Sequence, residues 1–129
     1  MTKEEALYNF WSSFGLPAYE ENSVYAMASQ GNAPVLPYIT YEVVTDSFDG
    51  GSTSLTASLW YRDMSWVDIT NKKDMISSTI GMGGILKPID GGQMWIKRRS
   101  PFSQSMGDGS DDMIKRIVLN ISVEYWTQN

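Results

Sequence analysis

Two residue types are missing from this chain: none of its 129 residues is cysteine and none is histidine. The protein therefore has no thiolate or imidazole nucleophile, no Ser-His-Asp arrangement and no zinc site of the usual ligand set. The absence of cysteine also excludes disulfide bonds and is consistent with a reducing compartment. We expect a protein that is not an enzyme and that uses no metal and no cofactor.

Long hydrophobic runs are missing as well. No segment approaches the roughly 18 consecutive apolar residues that a membrane-spanning helix needs, because Asp, Lys, Gly or Pro interrupts each one. The N-terminus has neither the basic start nor the apolar run of a signal peptide, which predicts cytosolic synthesis. With 42% hydrophobic residues, a chain of this length can bury a core by itself. We expect one domain spanning residues 1–129.

Positive charge is scarce in the first part of the chain. Residues 1–50 contain seven carboxylates and a single lysine, whereas residues 51–129 contain eight acids and nine bases. The formal net charge of the whole chain is −5, which argues against a general nucleic-acid-binding protein. The uneven distribution suits subunits that stack with unlike faces in contact, although a solvated acidic surface explains it equally well.

A helix is predicted near the N-terminus. Thr2 and Glu5 have the spacing of a capping box, in which each side chain accepts a hydrogen bond from the backbone N–H of the other residue. Apolar side chains then recur at helical spacing at Leu7, Phe10, Trp11 and Phe14. A glycine and a proline follow, so the helix falls within residues 1–18. Residues 16–37 lack periodicity and are rich in proline, which predicts an irregular arm or loop that packs on another surface.

The remaining chain largely alternates between apolar and polar residues, as β-strands do. A glycine pair after Asp90 predicts a tight hairpin turn, Pro88 places the preceding strand at a sheet edge, and residues 49–52 predict a second turn. Thr70 can cap a helix that continues to about Ile80. The predicted strands are residues 38–44, 53–62, 85–89, 93–98 and 113–127. The last is the longest, so we expect it to be central. This order predicts an α+β fold with a single antiparallel β-sheet of four to five strands packed by two helices.

A polar loop is predicted over residues 100–112, and a basic triplet precedes it. The acidic cluster in the loop lacks the final glutamate of a calcium-binding loop, because that position is Leu119. Strand alternation places Arg98 on the face opposite Lys97 and Arg99, so the triplet is not a single basic patch. We expect contact with a neighbouring subunit or another protein, and the alternatives are a solvated rim or a DNA contact. The candidate interface residues are Lys97, Arg98, Arg99, Phe102, Asp108, Asp111 and Asp112.

Several stretches of the chain resemble the small tail terminator, or tail completion, proteins of long-tailed bacteriophages and prophages of Gram-positive hosts. The stretches are PYITY (37–41), LWYR (59–62), SW (65–66), MWIKR (94–98), PFSQ (101–104), DD (111–112) and IKR (114–116). The resemblance covers most of the chain from Tyr19 to the C-terminus, and none of the stretches is a catalytic signature.

The resemblance implies an α+β subunit that forms a ring, expected to be hexameric, at the head-proximal end of the phage tail. Such a ring stops polymerisation of the tail tube and offers a joining surface to the neck or connector protein. DNA passes through its lumen without sequence-specific binding. The implied location is the virion, after assembly in the bacterial cytoplasm, without membrane contact. The alternatives are a head-completion or adaptor protein at the neck of the same particle and, from another class, a small carboxylate-dependent enzyme or ligand-binding domain.

Overall fold

The computed structural model describes residues 1–44, 51–109 and 111–127, and these ranges contain three helices and six strands. In chain order the elements are α1 (Lys3–Ser12), β1 (Ala18–Glu20), α2 (Glu21–Ser29), β2 (Tyr38–Tyr41), β3 (Thr53–Arg62), α3 (Val67–Ile80), β4 (Ile85–Ile89), β5 (Gly92–Asp108) and β6 (Asp111–Thr127). Residues 49 and 50 of the expected turn at 49–52 lie outside the described residues. None of the described helices is long and apolar enough to span a membrane.

The capping box predicted at the N-terminus is present. The Thr2 hydroxyl accepts a hydrogen bond from the Glu5 backbone N–H, and the Glu5 carboxylate accepts one from the Thr2 backbone N–H. α1 starts directly after this cap and ends at Ser12, before the predicted limit of residue 18. Phe10 and Trp11 on its buried side meet edge to face, with ring centres 4.9 Å apart. The aromatic stripe of α1 is therefore core packing.

All six strands belong to one sheet with the order β1-β2-β3-β6-β5-β4. The sheet is mixed, because β1 pairs with β2 in parallel while the other four pairs are antiparallel. The expected α+β class with a single sheet is confirmed. The sheet differs from the prediction because it has six strands instead of four to five and because one pair is parallel. β6 lies in the interior of the sheet, as predicted for the last strand. β4, which contains Pro88, lies at an edge, also as predicted.

The prediction of an irregular arm or loop over residues 16–37 is wrong, because this segment contains β1 and α2. The described part of the chain therefore contains three helices, whereas two were predicted. β1 has only three residues, too few to produce a recognisable alternation. α2 begins after Glu20, whose side chain accepts a hydrogen bond from the Ser23 N–H, and none of its own residues is buried. Its inward-facing side chains, among them Val24 and Met27, are only half-buried, and prolines and a glycine flank the short helix, so the segment resembles a loop in the sequence.

α3 begins one turn earlier than predicted. Thr70, the expected cap, lies inside the helix, which starts at Val67. The Ser65 hydroxyl accepts a hydrogen bond from the Val67 N–H at 3.1 Å and so partners one of the N–H groups left free at the helix start. The side chains that the spacing places on the inner face are buried, namely Ile69, Ile76 and Ile80.

The prediction of a polar loop over residues 100–112 is also wrong. β5 continues to Asp108 and β6 begins at Asp111, so this segment forms the distal part of a β-hairpin. Its residues are mostly small and polar, and they show no hydrophobic alternation. The register between β5 and β6 shifts after Arg98, where residues 99–102 form a bulge opposite Asn120.

The core lies between one face of the sheet and the helices α1 and α3. Alternate residues of β6 are buried there, as the sequence pattern predicts: Ile117, Leu119, Ile121 and Val123. Tyr125 continues this alternation and is half-buried, and its hydroxyl donates a hydrogen bond to the Val44 carbonyl at 3.1 Å. The intervening residue Asn120 points to the other side of the sheet, where its side-chain amide donates to the Pro101 carbonyl.

Candidate partner-binding surface

The sheet has a second face, opposite the core, which we call the open face. α1 and α3 contribute their buried side chains to the core side. Among the described helices, α2 is the one that borders the open face, and it does so only at the end formed by β1 and β2. Alternate strand residues such as Trp60 and Arg116 therefore lie on a surface that most of the chain leaves uncovered.

A row of aromatic side chains crosses one end of the open face. The strand register places Tyr38 beside Trp60 and Trp60 beside Arg116 on three neighbouring strands. The rings of Tyr38 and Trp60 stack with centres 6.4 Å apart, and Tyr19 meets Tyr38 edge to face at 5.9 Å. The Trp60 indole N–H donates to the Thr40 hydroxyl at 2.9 Å, which holds the ring in place. The row is thus a preformed surface of large rings.

Arg116 completes the row. Its guanidinium carbon lies 4.6 Å from the centre of the Trp60 ring, and its Nε donates to the Ser58 hydroxyl at 3.1 Å. Together with Glu21, Val24 and Tyr25 of α2, these side chains border a pocket of about 190 Å³. A stacked arginine keeps its planar fork oriented, which suits a carboxylate on a binding partner.

The basic triplet divides between the two faces of the sheet as strand alternation predicts. The Lys97 ammonium lies 4.0 Å from the centre of the Trp95 ring, and the Arg99 guanidinium bonds the Ser54 hydroxyl of β3. Arg98 instead donates to the Ser77 hydroxyl of α3 at 2.8 Å, on the core side. Arg98 and Arg99 are both exposed.

Two residues of this triplet, Arg98 and Arg99, belong to one surface patch at the β5 bulge. Arg98, Arg99 and Ser100 line a surface depression together with Met82, which follows α3, and with Phe102. Phe102 is half-buried and packs against the edge of the core. The depression therefore places two exposed arginines beside two apolar side chains.

The predicted acidic residues lie elsewhere, at the tip of the β5–β6 hairpin. The Asp111 carboxylate accepts a hydrogen bond from the Met113 N–H at 2.9 Å and forms an ion pair with Arg62 at 2.7 Å. The pKa of Asp111 lies below its ordinary value, mainly because of the hydrogen bond from Met113 and secondly because of the contact with Arg62. Asp112 is exposed, and the side chain of Asp108 lies outside the described part of the structure.

The seven predicted interface residues thus form two separate groups. Residues 103–107 of β5 separate the bulge from the hairpin tip, a distance of about 17 Å at the rise of an extended strand. Across the described residues, no group of three or more carboxylates lies close enough to hold a metal ion.

The aromatic row was not among the residues predicted to form a site. Its sequence signal is the set of outward-facing aromatic residues on alternating strands, but nothing in the sequence states which of these strands are neighbours. The pairing register brings Tyr38, Trp60 and Arg116 together. No protein-family model, no curated protein and no solved structure matches this chain.

Proposed function

We propose that this chain is a structural subunit that caps the tail tube of a long-tailed bacteriophage, as the tail terminator proteins that it resembles do. The observation that carries the proposal is the open outer edge of β5. β4 pairs with β5 only as far as Ile96, so over residues 97–108 no described strand pairs with the outer backbone of β5. A long open edge of this kind is a template for pairing with a strand of another chain.

The composition of this edge supports an assembling protein. Monomeric proteins usually protect an edge strand with lysine, proline or a bulge. Such features are concentrated at the start of the open edge, in the bulge of residues 99–102 with its Pro101. The following residues 103–107 contain no charged residue and no proline. This part of β5 is suited to an interface.

A terminator acts by occupying the end of the tube. One surface of its ring matches the last ring of the tube, and the other surface does not match a further tube subunit, so head-to-tail addition stops. The acidic first part of the chain and the nearly neutral remainder provide a charge difference between two such surfaces. The negative net charge also disfavours adhesion of DNA that passes through the lumen. The activity is stoichiometric, with one ring per tail.

Deletion of the gene from the phage that encodes it tests this function. We expect overgrown tails and separate heads in electron micrographs, because nothing stops the tube and nothing joins it to the head. Purified protein added to these lysates should restore joining. The number of joined particles should rise in proportion to the number of rings added per tail.

Two other results would contradict the proposal. Tails of normal length that remain separate from heads favour the neck adaptor protein instead. Tails of normal length that join heads without this protein exclude both functions.

A further inference from the structure

The two edges of the sheet differ in charge. β1 forms one edge, next to α2, and β4 with the open part of β5 forms the other. Residues 13–44, which contain β1 and α2, include three glutamates and neither lysine nor arginine. Residues 85–108, which contain β4 and β5, include four basic residues and two carboxylates, Asp108 and Asp90, the second of which pairs with the amino-terminal ammonium.

From this arrangement we infer that copies of the chain associate head to tail, with the acidic β1–α2 edge of one copy against the basic β4–β5 edge of the next. Each edge thus binds a second copy of this same chain. The inference rests on the proposed ring-forming function and names the two surfaces through which the ring closes.

The charges select this pairing over its alternative. If two β5 edges paired with each other, the interface would join two basic segments and leave the acidic β1–α2 edge out of the contact. Like charges in an interface oppose association, whereas opposite charges favour it and define its orientation. Contact between two different surfaces of one chain is heterologous, and repeated heterologous contacts form a ring when the rotation from one copy to the next closes.

Exposed apolar side chains accompany the charges at both edges. At the acidic edge, Tyr25 of α2 is 68% exposed and Val35 is 86% exposed. At the basic edge, Met82 is 97% exposed and Met106 is 45% exposed. Burial of such residues supplies the main driving force of association, and surrounding charges provide specificity.

The backbone at both edges is also available for pairing. β1 pairs with β2 on one side, and no described strand lies on its other side. The uncharged residues 103–107 of β5 offer a row of N–H and C=O groups to a neighbour. Pairing across the contact would continue the sheet from one copy into the next.

Charge reversal in the purified full-length protein tests the inference. The first variant, Arg98→Glu with Arg99→Glu, makes the β5 edge acidic. The second variant, Glu21→Lys with Asn22→Lys, makes the β1–α2 edge basic and leaves the Glu20 cap in place. Each variant then carries the same charge on both edges. We expect each to dissociate into monomers at concentrations at which the wild type is oligomeric, measured by sedimentation and native mass spectrometry.

Restoration is the decisive result. Mixing the two variants places acidic edges against basic edges, so oligomers of alternating composition should form. The chain with all four substitutions should also assemble by itself, because its edges are again opposite in sign. Asp74→Lys, on the exposed side of α3, is the matched control and should leave assembly unchanged. Circular dichroism and the thermal midpoint establish that each variant is folded.

A further variant tests the β5 edge independently, in case substitution of Arg98 or Arg99 disturbs the bulge. Met106→Lys places a charge on the unprotected part of the β5 edge and should raise the dissociation constant at least tenfold. Oligomers that survive Glu21→Lys with Asn22→Lys but are lost in Arg98→Glu with Arg99→Glu would overturn the inference in favour of paired β5 edges. A wild type that stays monomeric at every concentration would also overturn it.

The inference and the proposed function can fail separately. Charge-swap rescue together with normal tails in the gene deletion supports the interface and rejects the tail function. Overgrown tails in the deletion, together with charge-reversed variants that still form rings and still cap tails, support the function and reject these edges as the interface.

Discussion

At the scale of single residues, β6 shows most directly how alternation becomes burial. Leu119 is fully buried in the core, while its neighbour Asn120 lies on the opposite side and bonds the bulge. A shift of one residue in register would exchange the two environments. The stability of variants at these positions therefore reports the register of the central strand.

Leu119→Ala should lower the free energy of unfolding by about 2–5 kcal/mol, because it leaves a cavity in the core. Ile121→Ala, at the next buried position, should behave similarly. Asn120→Ala removes one hydrogen bond and should cost only about 1 kcal/mol. Urea titrations of the three variants measure the difference, and equal midpoints would refute the register.

Tyrosine residues make the stability of the protein depend on pH in the alkaline range. Burial, followed by the nearby Glu4 carboxylate, raises the pKa of Tyr125 to about 12 from its ordinary value of 10.0. The folded state then keeps the phenol proton at a pH at which the unfolded chain releases it. This contribution to stability is fully present below pH 10 and is lost as the pH rises toward 12. Burial shifts the pKa values of Tyr38, Tyr41 and Tyr61 in the same direction.

Tyr125→Phe should therefore reduce the pH dependence of the thermal midpoint between about pH 10 and pH 12. At neutral pH the variant should be less stable by about 1 kcal/mol, because the hydrogen bond to the Val44 carbonyl is lost. Melting curves at several pH values measure both effects. A pH profile identical to that of the wild type would show that Tyr125 does not titrate in this window.

At the scale of elements, the turn between β4 and β5 illustrates what a hairpin requires. Gly91 has a φ of +77°, a conformation that other residues adopt only at a cost. Gly92 is restricted for another reason, since a Cβ atom there would lie 1.7 Å from the Trp126 carbonyl oxygen of β6. The second glycine of the turn is thus required by the neighbouring strand.

Gly92→Ala should destabilise the protein by about 1–3 kcal/mol or more, because the backbone of β5 or β6 must move to accommodate the methyl group. Gly107→Ala is the matched control in the same strand. A Cβ atom at Gly107 meets nothing within 4 Å, so this substitution should change the stability by less than about 1 kcal/mol. Thermal denaturation of the two variants tests the difference, and equal losses would contradict the close approach of β6.

At the scale of the whole molecule, the inferred association through the two sheet edges would link folding to protein concentration, because the assembled state binds only folded copies. The thermal midpoint should therefore rise with protein concentration. It should fall when salt is added at a fixed concentration, since salt screens exposed charges.

Differential scanning calorimetry over a hundredfold range of concentration measures this effect. The variant Arg98→Glu with Arg99→Glu is the control, because its midpoint should be lower and independent of concentration. A wild-type midpoint that does not change with concentration would indicate that folding does not depend on association. Charge-swap rescue remains the more specific test of the two edges.

The sequence by itself determined those features that depend on neighbouring residues. The Thr2 capping box, the β4–β5 hairpin and the inward side of β6 follow from local hydrogen bonds, turn conformation and alternating burial, and all three are present. The same alternation predicted that Arg98 would lie on the side opposite Lys97, although the bulge also brings Arg98 and Arg99 into one surface depression. Two types of element escaped prediction: the short, exposed helix α2, which lies between prolines and a glycine, and the distal hairpin strands around residues 100–112, whose sequence contains no hydrophobic period.

Only the tertiary structure decided which distant residues became neighbours. The parallel pairing of β1 with β2 joins a strand too short to be recognised to one that lies about 20 residues later. The alignment of Tyr38, Trp60 and Arg116 and the placement of acidic and basic segments at opposite edges depend on the strand order. Several long-range pairings are possible because the strands have similar local sequences, and strand order is one outcome among them. It is decided by the packing of the whole core, which no short segment encodes.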